Sequence, residues 1–454
     1  MSSCRWPQAR SSIETGSHLR SHLDRRAPIL KPMNEHQSTP TDLLHRAKQA
    51  SRILARSDGE LRAAAINAVA DAILDRELEI IEANLLDSDA GRQSGMDPAL
   101  LDRLALDSDR VRSIAEGART VAALDDPVDE EIEGHRLSNG LEVRKVRRPL
   151  GVVCVVYEAR PNVTVDAAVL CIKSGNAAVL RGSSTAQHSN AVLARITAEA
   201  IESVGLPADS VVLVSGGGRE ELAELATADG LVDLIIPRGG KGLKQSLEAV
   251  ATVPVIYAAS GNCHVYVDEH ADLEMAEAIT INAKVQRPGV CNAAETLLVH
   301  QAVAAEFIPK ALAALSDAGV ELRCDGRSAA LAGSGTKVIA ASDEDFATEF
   351  LAPIISVAVV DSIEGAINHI DQFGSGHSEA IVTADRSAAR EFQQRVDAAC
   401  VYVNASTRFT DGAVFGMGAE IGISTQKLHA RGPIGLRELC TYSYLVDGDG
   451  QVRG

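Results

Sequence analysis

The chain has 454 residues, a length that predicts two or three domains, each large enough to hold its own hydrophobic core. A hydrophobic content of 46% and a formal net charge of −18 predict a globular protein and exclude a nucleic-acid binder, which needs a basic surface. No apolar run is long enough to cross a bilayer, and the eight cysteines form no CxxC pair. The sequence therefore predicts no membrane span, no metal site and a reducing, cytoplasmic compartment.

Residues 1–33 differ from the rest of the chain. They carry six basic residues against two acidic ones and are rich in serine, with no apolar stripe. We interpret them as a disordered tail or as a start codon assigned too early, and a targeting segment is the alternative.

Helices are predicted next, in residues 41–90 and Pro98–Leu124, where apolar side chains recur at helical spacing. The pattern then changes to alternation in Glu131–Arg148, with Asn139 and Gly140 at its centre. An Asn-Gly pair between two alternating segments predicts a β-hairpin. A hairpin between two larger blocks suits an assembly arm, and a plain surface hairpin is an equal alternative.

From Gly151 onward, short apolar segments alternate with helical ones, in two successive blocks. This alternation predicts an α/β fold, in which parallel sheets carry helices on both faces and ligands gather at the carboxyl ends of the strands. The predicted strands are Val152–Val156, Ala177–Leu180, Val211–Val214 and Leu234–Pro237 in the first block, and Val265–Val267, Thr296–Val299, Ile355–Val360, Ala380–Thr383 and Val401–Val403 in the second.

Two glycine-rich turns each precede a predicted helix, at Ser215–Gly218 and Gly239–Gly242. Backbone N–H groups in such turns can hold a pyrophosphate. Neither turn matches the GxGxxG pattern or a Walker A loop, and ordinary tight turns explain them equally well.

Cys291 is the candidate nucleophile, in the segment Lys284–Asn292. Pro288 and Gly289 predict a turn just before it, and the residues after it can start a helix. A thiol at a helix N-terminus has its pKa lowered from about 8.5 toward about 7.5 or below, which exposes a thiolate at neutral pH. The alternative is a buried structural cysteine.

Six longer segments carry a more specific signal than these isolated features. They are Tyr157–Thr164, Lys173–Ala177, Leu180–Gly182, Gln286–Asn292, Tyr402–Gly412 and Ser424–Pro433. Through them the chain resembles the aldehyde dehydrogenase superfamily and, within it, the gamma-glutamyl phosphate reductase family, from about Leu43 to Val446.

The resemblance implies an aldehyde dehydrogenase-like α/β fold with three parts. Residues 34–130 and 149–258 would form a Rossmann-type cofactor domain, and residues 259–433 an α/β catalytic domain. The hairpin 131–148, with residues 434–454, would form an oligomerisation arm.

By the same resemblance, Cys291 is the nucleophile, and the Asn162 amide forms the oxyanion hole with the Cys291 backbone N–H. Hydrolytic members carry a water-activating glutamate where this chain has Ala259, and without that base water attacks a thioester poorly. The implied reaction is the NADPH-dependent reduction of L-glutamyl 5-phosphate to L-glutamate 5-semialdehyde in proline biosynthesis. The alternatives are a hydrolytic aldehyde dehydrogenase acting on a small aldehyde and a catalytically silent nucleotide-binding scaffold.

The resemblance also implies a cofactor site. Gly239 and Gly240 would lie beside the pyrophosphate, and Glu349 would hold the nicotinamide ribose. Arg181 stands where the superfamily commonly has a lysine, and an arginine there can pair with a 2′-phosphate, which favours NADP(H).

Basic residues near the family-like segments are the candidates for binding the substrate, with a surface ion pair as the alternative. We assign Arg408, Asn404, Lys427 and Arg431 to the substrate, with Arg160 and Arg287 as weaker candidates. We expect structural roles for Cys263, His264, His377 and His429, with a substrate role as the alternative for the last two, and also for Glu295, which would share a helix face with Cys291. The implied partners are further copies of the chain and a glutamate 5-kinase that hands over the labile acyl phosphate.

Overall fold

Helices come first in the described part of the chain. The computed structural model describes residues 39–215, 218–257 and 260–453, so the predicted tail, residues 1–33, lies outside it. The first helix begins after Thr39, whose side chain accepts a hydrogen bond from the Asp42 backbone N–H while the Asp42 carboxylate bonds back to Thr39. The five helices that precede the first strand are α1 Pro40–Leu54, α2 Gly59–Asp75, α3 Glu77–Gln93, α4 Pro98–Leu104 and α5 Ser108–Ala123.

A four-stranded parallel sheet follows, with the strand order β5-β4-β3-β6. All six residues of β3 are buried, because helices cover both faces of the sheet and join α1, α2 and α5 in one aliphatic core. The strands are β3 Val152–Tyr157, β4 Ala177–Gly182, β5 Val211–Leu213 and β6 Leu234–Arg238, and the helices after them are α6 Val163–Lys173, α7 Gln187–Ser203, α8 Arg219–Ala226 and α9 Lys241–Glu248.

A seven-stranded parallel sheet forms the second block, in the order β10-β9-β11-β8-β7-β12-β13. Alternate residues of β7 point to opposite faces: Val265 and Val267 join one core cluster and Tyr266 joins the other. Its strands are β7 Cys263–Val267, β8 Ala294–His300, β9 Glu321–Cys324, β10 Val338–Ala340, β11 Ile354–Val360, β12 Ser378–Val382 and β13 Cys400–Val403. The helices around them are α10 Leu273–Val285, α11 Gln301–Asp317, α12 Gly326–Ala330, α13 Asp343–Phe346, α14 Ile363–Phe373 and α15 Arg386–Arg395.

The predicted hairpin is present and is joined by a strand from the C-terminal segment. β1 Glu131–Arg136 and β2 Glu142–Pro149 pair antiparallel, and β16 Cys440–Asp447 pairs with the other side of β2. Gly140 has a φ of 91°, the left-handed conformation that the tight turn between β1 and β2 requires. A short ladder of β14 Ile423–Ser424 and β15 Gly432–Pro433 precedes β16.

These two parallel sheets and their helices confirm the predicted α/β fold class. Within the described ranges, no helix combines the length and the apolar character needed to span a bilayer. In the same ranges, no group of three or more His, Cys, Asp and Glu side chains could hold a metal ion.

Candidate active site

Cys291 lies in a turn between α10 and β8, so the prediction of a helix N-terminus is wrong. The helix before it ends at Val285, and the residues after it form strand Ala294–His300, whose seven side chains are all buried. An apolar run of that length pairs on both sides, with β7 and β11, and this pairing outweighs any local tendency to start a helix. Glu295 therefore lies on a strand, where it pairs with the buried Lys284, and does not share a helix face with Cys291.

The predicted lowering of the cysteine pKa is also wrong. Burial raises the pKa of the Cys291 thiol to about 11; the nearby Arg238 guanidinium opposes that rise, while Glu349 and Glu420 add to it. The residue as a whole keeps intermediate exposure. The thiol is protonated at neutral pH, and its activation needs a base or a cation beside it.

The backbone of Cys291 is fixed by an unusually close approach of Gly261. A Cβ atom at position 261 would lie 1.5 Å from the Cys291 carbonyl oxygen and 2.5 Å from its Cα. The Cys263 thiol donates to the same carbonyl oxygen at 3.2 Å. The Glu349 carboxylate in turn accepts hydrogen bonds from the Gly261 N–H and the Ser260 hydroxyl, both at 2.7 Å. Glu349 is thereby linked to the nucleophile through a single glycine, Gly261. Ala259, which comes just before this segment, lies outside the described residues.

The residue after the nucleophile joins it to the segment around Arg408. The Asn292 side-chain amide donates to the Thr410 carbonyl oxygen at 2.8 Å, and the Thr407 hydroxyl donates to the Asn292 carbonyl oxygen at 2.7 Å. The Arg408 Nε donates to Gln286 Oε1 at 2.8 Å. These bonds bring Arg408 to the same turn as the thiol.

Asn162 lies at the start of α6, just beyond the carboxyl end of β3, and it makes no capping bond with its side chain. Its Nδ2 donates to Asp166 Oδ2 at 2.8 Å, which orients the amide and leaves its second N–H for another acceptor. Burial raises the pKa of Asp166 to about 6, against the effects of Asn162 and Arg238. Arg238 acts electrostatically on both Asp166 and Cys291, and the role of Asn162 beside the nucleophile stays a prediction.

Three of the predicted cofactor residues lie at the carboxyl edge of the four-stranded sheet, whereas Glu349 lies between α13 and β11. Gly239 and Gly240 form the turn between β6 and α9, and a Cβ at Gly240 would meet nothing within 4 Å. The Gly240 N–H donates to the Glu158 carboxylate at 3.1 Å, so an acidic group already sits at this helix N-terminus. Arg181 is the penultimate residue of β4, which β3 separates from β6, and its Nε donates to Glu221 Oε1 at 3.1 Å. Open space above Gly240, with an arginine near the carboxyl end of another strand of the same sheet, fits the phosphates of a dinucleotide.

The structure does not bring three of the predicted substrate residues into this hydrogen-bonded assembly. Asn404 has a φ of 55° and uses its amide to bind the backbone N–H and carbonyl oxygen of Thr383, both at 2.9 Å. Lys427 and Arg431 both form ion pairs with Asp397. Their roles in substrate binding stay predictions.

The structure adds two residues that the sequence reasoning missed, Arg238 and Glu420. Arg238 ends β6, and the guanidinium packs so closely on Gly422 that a Cβ there would lie 2.7 Å from Nη1. Glu420 Oε2 accepts the Gly412 N–H at 2.8 Å, and burial, helped by Asp411, raises the pKa of Glu420 to about 7. Arg238 stands at a strand's carboxyl end directly before the glycine turn, and that position was the available signal for it.

Comparisons with known proteins show the family and the fold of the chain. The model of the aldehyde dehydrogenase family matches residues 25–328 and 336–424. The gamma-glutamyl phosphate reductases of Heliobacterium modesticaldum and Syntrophomonas wolfei are 55% and 51% identical to the chain, each over 90% of this chain and 97% of the relative. The crystal structure of gamma-glutamyl phosphate reductase from Thermotoga maritima superposes with a TM-score of 0.89 at 43% identity and covers 91% of this chain and 99% of that one. The predicted resemblance is confirmed, and the chain belongs to the aldehyde dehydrogenase family.

Proposed function

We propose that the chain reduces L-glutamyl 5-phosphate with NADPH to L-glutamate 5-semialdehyde and inorganic phosphate, a step of proline biosynthesis. The assignment rests on relatives of 51 to 55% identity that carry the name gamma-glutamyl phosphate reductase. The structural observation that supports it most directly is a partly exposed Cys291 on which Arg238 acts electrostatically, as Arg238 also does on Asp166, the hydrogen-bond partner of Asn162.

The reaction begins when the Cys291 sulfur attacks the acyl carbon of the substrate. The second N–H of Asn162 Nδ2 and the Cys291 backbone N–H stabilise the oxyanion, and one such donor contributes about 3 kcal/mol to the transition state. The carbon–oxygen bond to phosphate then breaks, and a thioester on Cys291 remains. Asp166 keeps the Asn162 amide in place throughout.

Glu420 is the proposed base that takes the proton of the Cys291 thiol. Its pKa of about 7 allows it to hold or release a proton at neutral pH, which is the condition for general base catalysis. Glu420 also acts electrostatically on Cys291, and it accepts the Gly412 N–H of the segment to which Asn292 is bonded. Glu420 would thus remove the proton that the Cys291 thiol retains at neutral pH because of its raised pKa.

The aldehyde dehydrogenase family uses a nicotinamide cofactor, and we propose NADP(H) for this chain. When bound, it supplies the hydride that converts the thioester to the aldehyde level. Gly239 and Gly240 would hold its pyrophosphate, Arg181 its 2′-phosphate, and Glu349 its nicotinamide ribose. Glu349 already bonds the segment that fixes Cys291, so ribose and nucleophile would be positioned together.

The chain's partners are proposed on chemical grounds. The substrate is a small molecule that carries a phosphoryl group and a carboxylate, for which Arg408, Asn404, Lys427 and Arg431 are the predicted ligands. A homo-oligomer would use the three-stranded arm, whose strand β16 exposes Tyr442, Tyr444 and Val446. A glutamate 5-kinase that delivers the labile acyl phosphate, and a cytoplasmic location, complete the proposal.

The reverse reaction tests this function. Semialdehyde and NADP⁺ should give NADPH only when inorganic phosphate is present, because phosphate must attack the thioester to release the product. Turnover without phosphate, with free acid as product, would instead identify a hydrolytic aldehyde dehydrogenase. Replacing Cys291→Ser should abolish turnover in a protein that keeps its fold, and unchanged turnover would overturn the assignment of the nucleophile.

A further inference from the structure

Three arginines act electrostatically on Cys291 and a fourth, Arg287, lies in the turn that carries it; within the described residues none of the four forms an ion pair with a carboxylate. They are Arg160, Arg238, Arg287 and Arg408. Most, but not all, of the other described arginines pair with carboxylates, as Arg181 does with Glu221. Guanidinium groups that stay unpaired in a protein of net charge −18 form a site suited to an anion.

The four guanidinium groups are close enough to affect one another. The pKa of Arg160 is lowered to about 10, first by burial and then by neighbouring arginines that include Arg238 and Arg287. Burial and Arg287 likewise lower the pKa of Arg408, and Cys291 opposes the lowering in both residues. The lowered pKa values show that burial and neighbouring cations disfavour the charged form of Arg160 and Arg408. An anion bound between the guanidinium groups would stabilise that form.

Two of these arginines lie at or just beyond the carboxyl ends of the adjacent strands β6 and β3. Arg238 is the last residue of β6 and lies opposite Tyr157 in the sheet, and Arg160 follows that tyrosine by three residues. The Glu158 N–H donates to the Arg238 carbonyl oxygen at 3.1 Å, which fixes the two strand ends together. Arg160 and Arg238 therefore stand side by side at the edge of the sheet that carries the predicted cofactor turn.

Arg238 is the member of the group with an unmet hydrogen bond. Its Nε is buried and has no partner in the described part of the chain, and Gly422 packs against its guanidinium. Two carboxylates that Arg238 affects electrostatically have other partners: Asp166 accepts from Asn162, and Glu420 accepts the Gly412 N–H. A buried N–H without an acceptor costs about 1–3 kcal/mol, so an anionic ligand that reached it would remove that penalty.

We propose that Arg238, with Arg160 beside it, binds the phosphoryl group of the acyl phosphate next to Cys291. In the reductive direction, the bond between the acyl carbon and the phosphate oxygen breaks, and the departing phosphate keeps the electron pair and remains on Arg238. In the oxidative direction, the same phosphate attacks the thioester carbon, and the sulfur leaves as a thiolate. This inference rests on the proposed function and assigns the group that handles its phosphate.

Kinetics in the oxidative direction separate this role from a structural one. The KM for inorganic phosphate should rise about 100-fold in Arg238→Gln and about 10-fold in Arg238→Lys, while the KM for semialdehyde changes less than twofold. The matched control is Arg327→Lys, because Arg327 is an exposed residue paired with Asp361, and neither KM should change there. An unchanged phosphate KM in both Arg238 variants would overturn the proposal.

Alkylation of Cys291 gives a binding readout that does not depend on turnover. Inorganic phosphate should slow the reaction of iodoacetamide with Cys291 in the natural protein, because a bound dianion offsets the cation beside the thiol. The protection should be lost in Arg238→Gln and kept in Arg327→Lys. Protection that persists in Arg238→Gln would contradict the phosphate site.

The two proposals fail in different ways. If natural protein turns over semialdehyde without any need for phosphate, the proposed function is wrong. If turnover requires phosphate and the Arg238 variants keep the natural phosphate KM, only the assignment of Arg238 is wrong.

Discussion

Replacing Gly261→Ala tests whether the close approach of two backbones holds the nucleophile in place. The new Cβ would lie 1.5 Å from the Cys291 carbonyl oxygen, and an unstrained C···O contact needs about 3.3 Å, so the two segments must separate by about 1.8 Å. No rotamer change relieves this clash, because both partners are backbone. A misplacement of about 1 Å costs about 100-fold in rate, so kcat should fall at least about 100-fold, or about 2.7 kcal/mol in the barrier.

The assay is steady-state turnover of semialdehyde with NADP⁺ and phosphate, beside the rate of Cys291 alkylation and a circular dichroism spectrum. The matched control is Gly289→Ala in the turn before the nucleophile, where a Cβ would lie 3.6 Å from the Leu351 carbonyl oxygen, an ordinary contact. That variant should keep kcat within about threefold, since the added methyl displaces nothing. A Gly261→Ala protein with natural kcat would refute the reasoning, as would an equal loss in both variants.

Three further predictions concern single side chains. In Asn162→Ala, kcat should fall about 100- to 1,000-fold, because an oxyanion donor is lost. The alkylation rate of Cys291 should stay within twofold, and a parallel fall in that rate would instead indicate a misplaced thiol. In Glu420→Gln, the rise of kcat/KM with pH near 7 should disappear. The ionised carboxylate acts as the base, and with a pKa of about 7 it predominates above that pH. A pH profile that still rises near 7 would exclude Glu420 as the base. In Glu295→Gln, the buried Lys284 loses its charged partner, and urea unfolding should show a loss of about 3–5 kcal/mol, whereas a loss below about 1 kcal/mol would contradict a buried ion pair.

The architecture could be predicted because its signal is periodic. Alternating apolar strands and helices specify parallel sheets, and Asn139 with Gly140 specifies a hairpin, since these patterns act over a few residues. The partner of that hairpin, β16, lies about 300 residues away and was placed in the arm only through the family resemblance.

The environment of Cys291 could not be predicted from local sequence. The Pro288–Gly289 turn suggested a helix N-terminus, but the segment after the turn becomes a strand because it pairs with two strands distant in the chain. The predicted direction of the Cys291 pKa shift was wrong for the same reason, because the burial that raises this pKa depends on the whole fold.

Arginines posed a related problem, since the sequence does not say which ones are paired with carboxylates. Arg431 was predicted to bind the substrate and Arg238 was not singled out, yet Arg431 forms an ion pair with Asp397, and within the described residues Arg238 forms none. The difference comes from which loops meet in space. Hydrogen bonds that join residues 292, 410, 412 and 420 bring those loops together.

The strand order of the larger sheet has a consequence for synthesis on the ribosome. Strand β7, residues 263–267, lies between β8 and β12, and β12 at residues 378–382 is made more than a hundred residues later. At translation speeds of about 5–20 residues per second, one edge of β7 stays open for roughly 5 to 20 s after it emerges. An unpaired edge in so aliphatic a sheet invites association with other nascent chains. Slower elongation between these two strands should therefore lower the yield of soluble protein, and co-expressed chaperones should restore it.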